Sequence, residues 1–243
     1  EILRFVKLFK TLGMQRIRLT GGEPLLRPDL HEIVKEIAES VELNDLALTT
    51  NGQLLAKHAQ QLKDAGLKRV TVSLDSLEVA SFKKMSGGRG SLTGVLAGID
   101  AALEAGLTPL KINTVMQKGM NDDQILPLAR FARDKGLTVR FIEYMDVGNR
   151  NKWDLKNVVP SREVLKILQE EFELEAKEEK FYGEVAQHYK FSEGEGGIGL
   201  ISSVSQPFCG TCTRGRLSAE GKFYTCLFAS EGTDLLGPMR RGY

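Results

Sequence analysis

No stretch of this 243-residue sequence approaches the apolar length of a membrane span, and no secretory leader pattern opens it, so neither a membrane segment nor export is expected. Histidine is scarce: His31, His58 and His188 are the only three, none in a nucleophile elbow, so no Ser-His-Asp set can be assembled. Aromatic residues make up 7% with a single Trp, which leaves no base-stacking platform. An excess of either charge is also missing. Against 32 acidic residues stand 33 basic ones, and a net charge of +1 argues against a bulk nucleic-acid binder. There is no GxxxxGK[ST] and no GxGxxG leading from a strand into a helix, which excludes the common nucleotide fingerprints. Only three cysteines occur, an odd number that cannot close an intramolecular disulfide set, and the cytoplasm is the expected location.

What is present suffices for a sizeable core, since 42% of the residues are hydrophobic. The chain opens on EILRFVKLFKTLG, an amphipathic helix already under way without an initiator Met, and closes on LLGPMRRGY with no completed element. Both ends read as interior sequence, so a piece of a longer protein is expected. Residues 1–145 carry a regular rhythm. β-Prone runs at 16–20, 46–50, 69–74, 110–115 and 138–142 alternate with amphipathic helices at 30–39, 54–65, 91–105 and 122–134. Helices that end at Gly just before a strand predict βα units and a parallel sheet with helical crossovers. Polar residues follow strand after strand: Thr20-Gly21-Gly22-Glu23, Thr49-Thr50-Asn51-Gly52, Ser73-Leu74-Asp75, Asn113 and Glu143-Tyr144-Met145. A barrel brings every such strand end to one mouth, whereas an open doubly wound sheet brings only some to a crevice. An α/β fold with an incomplete TIM-like (βα)6 barrel is therefore preferred, followed by an extension over 146–243. In the extension, 146–159 reads as a loop, Ser161 as the N-cap of a helix ending near Phe172, and 173–180 as a solvated charged stretch. Residues 182–192 and 198–203 predict a hairpin.

The cysteines form Cys209-x2-Cys212-x13-Cys226. A CxxC turn directs two thiolates to one point, and a third from a later element closes a three-ligand face suited to zinc or iron–sulfur. Structural zinc takes four ligands, and His188 is the only recruit. A redox CxxC pair and three isolated buried thiols are the blander readings. Arg214 and Arg216 follow at an i, i+2 spacing, as do Arg16 and Arg18 inside the first strand, and Arg140 lies within an otherwise apolar strand. Guanidinium groups match phosphate oxygens, so the five together suggest a pocket for a polyanion such as a triphosphate, against the alternative of ordinary surface arginines. Gly21-Gly22 allows tight backbone approach or positive φ, and Glu23 offers a carboxylate to an amino group. Lys111 and Asn113 share one strand face; Lys111 points either at a ligand or into solvent.

Six motifs carry a resemblance: RLTGGEPLLR at 18–27, LTTNG at 48–52, VSLDSL at 72–77, KINTV at 111–115, VRFIEYMDVG at 139–148 and FCGTCTRGRLSAEGKFYTCLF at 208–228. With these the chain resembles the radical S-adenosylmethionine GTP 3′,8-cyclases of molybdenum cofactor biosynthesis over essentially its whole length. The resemblance implies a lyase with two [4Fe-4S] clusters and S-adenosylmethionine. Its 5′-deoxyadenosyl radical takes hydrogen from C3′ of GTP, and the C3′ radical attacks C8 to give the 3′,8-cyclo product. The resemblance assigns Cys209, Cys212 and Cys226 to the second cluster, which binds guanine through its open iron. Gly21, Gly22, Glu23, Thr50, Ser73, Lys111 and Met145 are assigned to S-adenosylmethionine, and Arg16, Arg18, Arg140, Arg214 and Arg216 to GTP. It further implies an external electron donor, a downstream pyranopterin-forming enzyme and a homodimer. The CxxxCxxC of the radical-generating cluster is not in this sequence and is expected just before residue 1; the double-glycine tail is also missing, and Gly215 stands where a larger apolar residue is usual. The chain as given is therefore expected to be inactive by itself. Two alternatives remain at this point: another radical enzyme with an auxiliary cluster, acting on a peptide, and a structural zinc protein.

Overall fold

The computed structural model describes residues 1–147, 153–178 and 181–242. The chain begins with α1 (Ile2–Thr11) and then alternates: β1 (Arg16–Leu19), α2 (Leu30–Ser40), β2 (Asp45–Thr50), α3 (Leu55–Asp64), β3 (Arg69–Ser73), α4 (Val79–Met85), α5 (Leu92–Glu104), β4 (Lys111–Met116), α6 (Ile125–Asp134) and β5 (Thr138–Glu143). The remainder holds α7 (Ser161–Gln169), β6 (Leu174–Lys177), β7 (Gln187–Phe191), β8 (Gly197–Ile201), β9 (Arg216–Leu217), β10 (Lys222–Tyr224), β11 (Thr233–Asp234) and α8 (Leu236–Arg240).

One eight-stranded sheet runs β1-β2-β3-β4-β5-β8-β7-β6. Strands β1 to β5 are parallel, β8 joins β5 in parallel, and β6 and β7 complete an antiparallel edge. The expected parallel sheet and the 182–203 hairpin are present. Three expectations change. Ser161 is the first residue of α7, with Pro160 in the cap position, and its backbone N–H goes to Glu143. The charged stretch from 173 holds β6, whose Leu174 registers with Phe191 of β7; Glu179 and Lys180 lie outside the described residues. Helix α4 has no counterpart in the periodicity reading: its seven residues are too short for a clear stripe, and Glu78 starts it by accepting the Ala80 and Ser81 amides at 2.9 and 2.6 Å.

Alternation along the strands assigns the two faces. Leu46, Leu48, Val70, Val72, Ile112, Val139, Phe141, Ile198 and Leu200 are all at or below 2% exposure and pack with the helices in one core cluster. The intervening residues Arg18, Thr49, Arg69, Thr71, Lys111, Asn113 and Arg140 are polar. A parallel sheet normally buries apolar side chains on both faces, so a polar second face marks a working surface. That face is concave. Arg140 on β5 lies within electrostatic reach of Arg18 on β1, although four strand spacings of about 4.8 Å would hold them roughly 19 Å apart on a flat sheet.

Candidate functional site

The strand-end loops form the first part of the site. Gly21 takes φ +145°, and a Cβ at either Gly21 or Gly22 would meet open space, so the backbone of this loop is bare on one side. Glu23 does not offer a free carboxylate. Its Oε1 accepts the Leu25 amide at 3.0 Å and the Thr50 hydroxyl at 2.6 Å, and its Oε2 accepts the Asn51 amide at 2.7 Å. It clamps the Gly-Gly loop to the end of β2. Thr50 is consumed by the same clamp and is 2% exposed. The hydroxyl turned to the concave face is that of Thr49, which accepts from Arg18 Nη1 at 3.4 Å. Sequence reasoning passed over Thr49; alternation from Asp45 would have placed it inward. Ser73 is exposed at the end of β3 and, with Asn51, Gln53, Asp75, Phe82 and Arg89, lines a cavity of about 240 Å³. Burial pushes the Asp75 carboxyl up to about 6, with partial relief from the Val115 amide. Met145 follows β5 by two residues; Gly148, the last residue of its motif, lies outside the described residues.

The concave face forms the second part. Arg140 is buried, donates through Nε to Asn113 Oδ1 at 2.8 Å, and reaches Thr71 Oγ1 at 3.5 Å. Desolvation above all, then repulsion from Arg18 and Arg69, brings its pKa down to about 9. Arg18 is also lowered, first by desolvation and then by Arg69, against the pull of Asp45; its surface is open to solvent, yet it lies in a concavity surrounded by protein. Arg69 is a cation that the motifs did not indicate. It forms a two-pronged pair with Asp45, and its Nη1 is buried with no hydrogen-bond partner. The alternation Arg69-Thr71-Ser73 was the available signal. Gly199 on β8 registers with Arg140, and a Cβ there would stand 2.8 Å from Arg140 Cγ, so the arginine stem lies over the bare backbone. Across β8, His188 meets Glu184 at 3.0 Å. Burial, with Lys111 and Arg140 nearby, lowers the His188 pKa against the opposing pull of Glu184, which favours the neutral ring. This pairing occupies the one histidine considered as a metal recruit. Arg16 stands apart, exposed and stacked over the Phe181 ring at 3.7 Å.

The cysteine segment forms the third part. Cys209–Thr211 is a single 3-10 turn, and β9 and β10 pair as an antiparallel hairpin with Tyr224 opposite Arg216. All three cysteines are free and exposed. Cys212 Sγ accepts from Arg214 Nε and Nη2 at 3.3 and 3.1 Å. The Arg214 backbone hydrogen bond, followed by its guanidinium, lowers the Cys212 pKa and favours thiolate. Among the described residues no three His, Cys, Asp or Glu side chains stand in metal-holding geometry. The chemistry of the donor set nevertheless fits an iron–sulfur cluster: three free, exposed thiols in a Cys-x2-Cys-x13-Cys spacing, one of them already biased to thiolate. Arg214 lies over Phe208 at 4.9 Å, and Arg216 has a buried Nη1 without a partner. The hairpin is held to α1 by a Phe9–Phe223 stack at 5.2 Å, and Arg4 Nη1 donates to Met239 O at 3.2 Å.

Comparison with known proteins agrees with this layout. Residues 1–132 match the model of the radical SAM superfamily, and residues 137–243 match the model described as Molybdenum Cofactor Synthesis C. A Staphylococcus carnosus protein named GTP 3′,8-cyclase is 48% identical over the whole chain, which spans 71% of that relative. Enzymes of the same name from Acidothermus cellulolyticus and Xanthomonas axonopodis pv. citri are each 49% identical, with 66% and 72% of their lengths spanned. Among solved structures, Streptococcus suis SuiB bound to S-adenosylmethionine aligns over 90% of this chain and 51% of its own, at 15% identity and a TM-score of 0.60. The hydrogenase maturase HydG aligns over 69% of this chain and 40% of its own, at 14% identity and a TM-score of 0.51. Those two likenesses concern fold alone. Taken with the sequence matches, they show that the chain belongs to the GTP 3′,8-cyclase family of the radical SAM superfamily.

Proposed function

We propose that the full-length parent enzyme converts GTP to (8S)-3′,8-cyclo-7,8-dihydroguanosine 5′-triphosphate, the first step of molybdenum cofactor biosynthesis, and that this chain, which contains no CxxxCxxC and does not complete the reaction alone, holds the triphosphate on its concave face. The carrying observation is the gathering of Arg18, Arg69, Lys111 and Arg140 on one polar face, where Asp45 acts on Arg18 and Glu184 on Arg140. Such a surface is short of negative charge until a polyanion enters. Arg140 fixes the phosphates, Arg18 and Thr49 hold the near edge, and Arg214 and Arg216 close over the nucleotide from the cysteine hairpin. Arg16 steers from the rim. The bare Gly21-Gly22 backbone, with Glu23 and Thr50 holding it rigid, receives the methionine end of S-adenosylmethionine. Ser73, Lys111 and Met145 line the rest of its bed. When bound, S-adenosylmethionine with a reducing [4Fe-4S] cluster, for which this sequence holds no CxxxCxxC, would supply the radical chemistry that removes hydrogen from GTP.

Cys209, Cys212 and Cys226 would hold the second [4Fe-4S] cluster, which would supply a binding position for the guanine. An external donor supplies the electron, a pyranopterin-forming enzyme takes the product, and the protein works in the cytoplasm as a homodimer. Anaerobic reconstitution with iron and sulfide, followed by GTP titration, tests the reading. Cys226→Ser is expected to lose the hairpin cluster and to weaken GTP by roughly tenfold or more, about 1.4 kcal/mol. A tightly held zinc with no iron or sulfide at the hairpin would refute it.

A further inference from the structure

Glu143, the last residue of β5, is 1% exposed and accepts four hydrogen bonds. The Ser161 amide donates at 2.8 Å, the Val204 amide at 2.8 Å and the Ser205 amide at 2.7 Å, and the Ser205 hydroxyl donates as well. The donors belong to two separate pieces of chain, the start of α7 and the loop that leaves β8. That loop has little ladder of its own: Ser203 N–H returns to Ile201 O at 2.9 Å and Gln206 N–H to Ser202 O at 3.3 Å. Four residues beyond Ser205 lies Cys209, and two residues beyond Glu143 lies Met145. The residue between them is pinned too, because Trp153 Nε1 donates to Tyr144 O at 2.8 Å. Burial alone would raise the Glu143 pKa, yet the Ser205 hydroxyl and the backbone amides outweigh it and hold the carboxyl below its ordinary value, so the acceptor is a full anion.

We propose that Glu143 is a positioning residue, which fixes the cysteine-bearing segment to the strand end that carries Met145 and so sets the spacing between GTP and S-adenosylmethionine. The proposal rests on the functional reading above and adds to it the element that registers its two halves. A carboxylate is required because every donor is an N–H or O–H, and four of them share two oxygens. Glutamine has one acceptor oxygen, and its NH2 would face donors. Glu143→Gln therefore releases the 204–205 turn while conserving volume.

Isothermal titration of GTP and of S-adenosylmethionine into the anaerobically reconstituted enzyme tests this, with iron and sulfide content and the thermal midpoint measured alongside. Glu143→Gln is expected to keep its iron, to weaken GTP roughly tenfold, and to diminish the change that GTP produces in the spectrum of the hairpin cluster. Ser205→Ala, which removes one of the four bonds, is expected to weaken GTP about threefold with the fold intact. Wild-type GTP affinity in Glu143→Gln, whatever its thermal midpoint, overturns the proposal; if that variant does not fold, unchanged affinity in Ser205→Ala overturns it. Wild-type enzyme that binds no GTP overturns the functional reading itself, and the positioning role with it.

Discussion

Arg140 is a buried cation without a carboxylate partner among the described hydrogen bonds, and replacing it should stabilise the protein while weakening its ligand. Desolvation and two neighbouring arginines bring its pKa from 12.5 to about 9. At about 1.36 kcal/mol per unit, the charged form costs the folded state on the order of 4–5 kcal/mol. Arg140→Met keeps an unbranched apolar stem and removes the charge, but it abandons Asn113 Oδ1 and Thr71 Oγ1, at a cost of about 1–2 kcal/mol. Water entering the concave face reduces the gain further. A net stabilisation of roughly 1–3 kcal/mol remains, or about 2–12 °C in the melting temperature of a chain this size. The pH dependence carries a sign. With a depressed folded pKa, the unfolded state binds more protons above about 9, so wild-type stability recovers as pH rises through that range. The variant should lack this recovery. GTP affinity should fall by roughly 10- to 100-fold through the loss of charge-assisted bonds. Calorimetric melting without ligand, with and without the substitution from pH 7 to 10, gives the first result, and GTP titration the second. A variant that melts lower than wild type at pH 7 refutes the reasoning, because Arg140 would then be a structural strut.

Asp75 behaves in the same spirit with the opposite charge. Its folded pKa is raised to about 6, so the folded state holds an extra proton between about 4 and 6 and stability falls as pH rises through that window. Asp75→Asn retains an acceptor for Val115 and is expected to add about 1–3 kcal/mol at pH 7 and nothing near pH 4, read from urea midpoints at both values. Gly199→Ala brings a Cβ to 2.8 Å from Arg140 Cγ and must displace that stem. It is expected to weaken GTP by roughly fivefold while the urea midpoint moves by less than about 1 kcal/mol; unchanged affinity would show that the guanidinium tolerates the shift.

The order of elements was legible in the chain because each reports a local rule. Strands β1 to β5 alternate within runs of four to six residues, and the helices between them carry apolar stripes that end at Gly. The motifs named the strand ends and the cysteine hairpin. Local rules failed where partners are distant in sequence. The seven-residue α4 is held by a carboxylate cap rather than a stripe, and β6 becomes a strand only because Phe191 of β7 faces Leu174.

The sequence by itself determined the family, the parallel βα rhythm and the identity of the cysteines and most arginines, since periodicity and motif spacing are properties of neighbouring residues. Only the tertiary structure decided which of Thr49 and Thr50 faces the site, that Glu23 is a clamp, that Arg69 and Asp45 join the cationic face, and that Glu143 ties the loop leaving β8 to the end of β5. Each of those facts depends on sheet curvature and register, which bring side chains from β1 and β5 within electrostatic reach and give a buried carboxylate donors some sixty residues away.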